Sequence, residues 1–134
     1  MTEELVTLET AKLLKEKGFN EYCKDIIRED NGRMMQSVFR TNKDLPKGAY
    51  SRPTQSIAAK WLREIRGVYV YVEPVIGKRW KLSFCDFNVP TEESDWMENE
   101  INKGNGYKVY DTYEEALEAG IQEALKLIRE WTLL

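Results

Sequence analysis

The run from Arg52 to Pro74 constrains the fold more than any other part of the chain. Pro53 suits a first helical turn, because it lacks only an N–H that would have no partner there. Ile57, Ala58, Trp61, Leu62 and Ile65 then recur at helical spacing as one apolar stripe. Lys60, Arg63 and Arg66 fall on the other side, and Gly67 ends the helix. From Val68 to Glu73 the period changes to two. Val68, Val70 and Val72 share one strand face and Tyr69 and Tyr71 the other. Pro74 limits how far this strand can sit in mid-sheet.

After a Gly77-Lys78 turn, Arg79 to Phe87 reads as a second strand. Trp80, Leu82 and Phe84 lie on one side, with Arg79, Lys81, Ser83 and Cys85 on the other. Asn88 to Gly106 is acidic. Thr91 with Glu92 and Glu93 can start a short helix that carries Trp96, Met97 and Ile101 and stops at Gly104-Asn105-Gly106; the other reading is an ordered loop anchored by Trp96. Tyr107 to Asp111 is a third strand. Thr112, followed three residues later by Glu115, forms a capping box. The helix behind it carries Ala116, Leu117, Ile121, Ala124, Leu125, Ile128 and Trp131. Gly120 on this face implies close approach to another backbone.

The N-terminal part is written less sharply. Thr7 to Phe19 is a short helix, capped by Thr7 and closed by Gly18, with Phe19 folding back onto Leu14. Residues 20 to 30 are weakly strand-like, and Asp30-Asn31-Gly32 signals a two-residue hairpin turn. Arg33 to Arg40 is either the returning strand or a short helix. Thr41 to Ser51, with Pro46 and Gly48, reads as a loop. The expected architecture is a single α+β domain over 1–134. An N-terminal helix with a hairpin and loop (1–52) precedes a helix–three-strand–helix core (53–134), whose small antiparallel sheet packs against the helices.

Chemistry is bounded mainly by what is missing. The chain has no histidine, which removes the usual general base, the histidine-activated nucleophiles and the commonest metal ligand. The two cysteines, Cys23 and Cys85, read as reduced core residues inside strand-like patterns. No apolar run approaches the ~20 residues of a membrane span, and the start is acidic, so the expectation is a cytoplasmic protein that needs no cofactor and no membrane. Charge is divided along the chain. Residues 47–81 hold eight basic against two acidic side chains, and residues 86–123 hold eleven acidic against two basic.

Three constellations follow. Helix–strand–strand–strand–helix is also the order of double-stranded-RNA-binding domains, but lysines at the start of their last helix are replaced here by Glu114, Glu115 and Glu118, which would repel phosphate. The same order begins the core of metal-dependent nucleases, and Asp86 and Asp111, each at a strand end, could come near each other, but the Glu-x-Lys pair of such enzymes is absent. Lys60, Arg63, Arg66, Tyr69, Tyr71, Arg79 and Lys81 form a basic and aromatic candidate binding face; stacking and charge on such a face suit nucleic acid, while a covering helix would make the rings core.

The blocks Thr7–Phe19, Pro53–Glu64 and Tyr110–Ile128, about a third of the chain and in this order, resemble a family of small proteins from phages and prophages of gut bacteria. That resemblance implies an accessory protein of a mobile element and transfers no catalytic or binding residue. The resulting expectation is a non-enzymatic module that acts through a protein partner or self-association. Nucleic-acid binding is the alternative, and metal-dependent cleavage the remote one.

Overall fold

The computed structural model describes residues 3–36, 40–103 and 106–128. In chain order these form α1 (Leu8–Glu16), β1 (Asp25–Arg28), β2 (Met34–Gln36), β3 (Ala49–Ser51), α2 (Gln55–Ile65), β4 (Val68–Val75), β5 (Arg79–Asp86), α3 (Trp96–Asn102), β6 (Val109–Tyr110) and α4 (Tyr113–Leu127). The fold is α+β, with two antiparallel three-stranded sheets ordered β2-β1-β3 and β4-β5-β6. One apolar core joins the N-terminal part to the rest, with Val6, Leu14 and Phe19 among Leu62, Phe84 and Leu125.

The helix ends follow local chemistry. The Thr7 hydroxyl accepts from Thr10 N–H at the start of α1. Gly18, at φ +99°, lets the chain reverse, so that Phe19 N–H donates to Leu14 O at 2.8 Å and Gly18 N–H to Lys15 O at 3.2 Å. Phe19 is then buried edge-on against Trp61, ring centroids 5.5 Å apart. Thr112 accepts from Glu115 N–H at 3.0 Å to start α4. At α2 the cap is Thr54, and Pro53 stands before it, its carbonyl taken by Val6 N–H at 3.0 Å. Pro53 is therefore not inside the first turn as expected but two positions before the first helical residue, Gln55. Ala58, Trp61 and Leu62 are buried, whereas Ile57 and Ile65 stay exposed, so the apolar stripe is narrower than its spacing implies.

β4 and β5 pair from Val68↔Asp86 to Val75↔Arg79. Val68, Val70, Leu82 and Phe84 are buried on the side packed by α2 and α4. Gly120 of α4 faces this surface. A Cβ there would stand 2.6 Å from Val70 Cγ1 and 2.9 Å from Leu82 Cδ2. The close approach is thus to side chains and not to backbone, and it offsets the ~1 kcal/mol of helix propensity that glycine forfeits.

β6 meets β5 only at Trp80↔Tyr110 and Lys81↔Val109. Beyond it the α3 segment closes the edge. Phe84 N–H donates to Glu98 Oε1 at 2.9 Å, and Asp86 N–H to Ser94 O at 2.8 Å. Thr91–Glu93 is a 3-10 turn, α3 begins at Trp96 with Met97 buried, and it ends at Lys103 in a left-handed conformation. The expected stop signal and Trp131 lie partly or wholly outside the described residues.

The small sheet departs most from expectation. The β1–β2 connection is wider than two residues: Arg28 N–H donates to Arg33 O and Gly32 N–H to Arg28 O. Only Gly32 takes positive φ there, while Asn31 instead accepts Arg33 N–H through Oδ1 at 2.8 Å. Met34–Gln36 is a strand and not a helix; Val38 and Phe39 lie outside the described residues. Within the segment read as a loop, Asn42–Asp44 is a 3-10 turn and Ala49–Ser51 is β3. The buried Asn42 side chain fixes both, donating to Phe19 O at 2.9 Å and accepting Ser51 N–H at 2.8 Å. Cys23 and Cys85 are free thiols; Cys23 precedes β1 and does not belong to a strand.

Candidate functional site

The alternation of β4 and β5 leaves a second sheet face, opposite α2 and α4. Register sets Tyr69 beside Cys85, Tyr71 beside Ser83, Glu73 beside Lys81 and Val75 beside Arg79. Tyr69 and Tyr71 stack, centroids 4.9 Å apart with 26° between planes. Tyr69 is 38% exposed and Tyr107, at the far side of the face, 55%. The face is open.

Its charges come in both signs. Lys81 Nζ lies 3.6 Å from Glu73 and 5.0 Å from the Tyr107 ring centroid. Arg79 Nε lies 3.9 Å from Asp111. Arg63 places its guanidinium 5.9 Å from the Tyr69 ring centroid and 3.7 Å from Glu64. Burial, with the Glu98 and Glu73 carboxylates nearby, raises the Tyr71 phenol above its ordinary value against a lowering contact from Ser83. Both tyrosines serve as ring surfaces with hydroxyl rims.

Of the seven candidate residues, five meet on this face: Arg63, Tyr69, Tyr71, Arg79 and Lys81. Lys60 is exposed on the outer side of α2. Arg66 departs from its expected exposed position. It is half-buried, donates from Nη1 to Lys17 O at 2.8 Å and lies over the Trp61 ring. Burial lowers its pKa. Its role is to join the ends of α1 and α2. Tyr107 and Glu73 belong to the face but were not among the candidates, and Asp111 was named only as a metal-site carboxylate; continuing the odd-numbered alternation from β5 across to β6 would have found Tyr107.

Asp86 and Asp111 do not form a site. Asp86 is buried and accepts Trp96 Nε1–H at 2.7 Å and Asn88 N–H at 2.9 Å, which fixes the turn after β5. Asp111 follows Tyr110, whose partner Trp80 stands at the other end of β5, roughly 20 Å away at a strand's rise per residue. Among the described residues no group of three His, Cys, Asp or Glu side chains could hold a metal ion, and no helix is long and apolar enough to cross a membrane.

The acidic start of α4 has a structural use of its own. Glu118 accepts from Thr7 N–H at 3.0 Å, from the Thr7 and Thr10 hydroxyls and from Gln55 Nε2 at 3.0 Å. One carboxylate thus holds the N-terminal ends of α1 and α2 against α4. Around it lies an open cleft of about 670 Å³, lined also by Glu4, Tyr110 and Glu115. Glu118 is spent on this junction.

No protein-family model, curated protein or solved structure matches this chain.

Proposed function

We propose that the chain is a non-catalytic interaction module whose contact surface is the open face of β4 and β5. The carrying observation is the stacked Tyr69–Tyr71 pair, exposed at Tyr69 and half-buried at Tyr71, among Arg63, Lys81 and Glu73. Protein interfaces concentrate tyrosine and arginine, because both offer a large contact area with a polar rim. Charges of both signs suit a protein surface better than a polyanion, since Glu73 and Asp111 already stand beside Lys81 and Arg79 and would repel phosphate. The proposal includes the mobile-element setting that the sequence resemblance implies, with the chain acting in the bacterial cytoplasm.

The test compares the protein with a Tyr69→Ser/Tyr71→Ser double variant as immobilised bait in bacterial host lysate. Anchoring tyrosines contribute about 2 kcal/mol each, so the variant should lose its partner by more than ~30-fold while keeping its far-UV circular dichroism. Equal capture by both forms overturns the assignment of this face. Retention of DNA or RNA probes that weakens steeply with salt would replace the protein reading with the nucleic-acid one.

A further inference from the structure

We infer that a second copy of the chain extends this face, joined β4 to β4 across a two-fold axis at Val70. The pairing adds a partner along the edge of the surface proposed above and rests on that reading. The argument begins with the phase of the backbone. Phe87 N–H donates to Gly67 O at 2.8 Å, one step beyond the Val68↔Asp86 pair. Antiparallel ladders alternate, so Tyr69, Tyr71 and Glu73 turn their N–H and C=O groups toward β5. Val68, Val70 and Val72 therefore turn theirs outward. β4 is the end strand of its sheet, so these groups face no strand among the described residues. An eight-residue edge of this kind is a template for another strand.

Pro74 selects the register. It stands on the outward phase and has no N–H to give. Centring the pair on Val70 sets Val70 against Val70 and Val68 against Val72 of the second copy, about six bonds in all, with Pro74 outside the ladder. Centring it on Tyr71 would place Pro74 opposite Val68 and lose a donor in each copy. The Val70 register also sets Tyr69 across from Tyr71 of the second copy and Tyr71 across from its Tyr69, placing the two observed stacks side by side as a two-by-two cluster of rings. Glu73 falls across from Gly67, where α2 ends. Arg63, on the helix side of β4, reaches the Tyr69 ring on the opposite face and so comes round this same edge. Each copy then offers one carboxylate to the other's guanidinium, the reciprocity a two-fold interface demands.

The test is amide hydrogen exchange on the intact protein from micromolar to millimolar concentration, alongside sedimentation. Association should slow exchange at Val68, Val70 and Val72 by at least ~10-fold, while Tyr69, Tyr71 and Glu73, already bonded to β5, change little. Glu73→Arg and Arg63→Glu should each weaken the dimer, and the two together should restore it. Three results would overturn the inference: a monomer throughout, a dimer without protection at the three valines, or protection there already in the monomer. In the first case, a host protein still captured through Tyr69 and Tyr71 would leave the broader interaction reading standing.

Discussion

The two sheets hold together by different means. In β4-β5-β6, two eight-residue strands present an unbroken row of Val68, Val70, Leu82 and Phe84 to α2 and α4. In β2-β1-β3, no strand exceeds four residues, and only Ile26, Ile27, Ala49 and Ser51 of its strands are buried. The first sheet is a product of apolar area, and the second of a few polar contacts at fixed points. A long strand states its burial every second residue and so repeats its message; a three-residue strand states it once.

Phe84→Ala tests the apolar sheet. The ring is buried in the common core, on a strand packed by α4, and its removal should cost about 3–5 kcal/mol, lowering the denaturation midpoint of the whole chain. A loss confined to the β5 region, with the small sheet still cooperative in hydrogen exchange, would break the view that one core unites both halves.

Asn42→Ala tests the polar sheet. It strands the buried Phe19 carbonyl and Ser51 N–H, an expected cost of about 1–3 kcal/mol. Exchange should quicken first at β3 and β1, with β4 and β5 following only on global unfolding. Uniform acceleration through both sheets would show that the amide serves the core and not the strand.

The smallest effect concerns Cys23, whose thiol burial pushes up from 9.0 to about 11. The unfolded chain gives up this proton first as pH rises. The stability owed to the neutral buried thiol is therefore complete below pH 9 and is lost as pH rises through about 11. A shallow decline in melting temperature across that window, absent from Cys23→Ala, is the expected reading. At neutral pH a thiol reagent should label the more exposed Cys85 first.

The same contrast explains what could be read from sequence. The helix and hairpin from Thr54 to Asp86 were legible because period 3.6 changes to period 2 at Gly67, and the members of the second face followed from the odd-numbered residues of both strands, although not whether a helix covers it. β3 was not legible. Pro46 and Gly48 announce a loop, and nothing local reveals that Asn42 will reach Phe19 and Ser51. Arg66 was misplaced for a related reason. It looks like a solvent-facing charge on its own helix and is spent on a partner from elsewhere, the Lys17 carbonyl. The reach of long polar side chains is set by tertiary neighbours and carries no period.

The Glu118 junction has a consequence for how the chain is made. Its donors come from Thr7, Thr10 and Gln55, while the carboxylate sits near the other end of the chain. Domains generally acquire structure as they leave the ribosome, N-terminal parts first. Here Thr7 N–H lacks its Glu118 acceptor until α4, 111 positions later, has been made, so α1 can dock through this junction only once α4 has emerged.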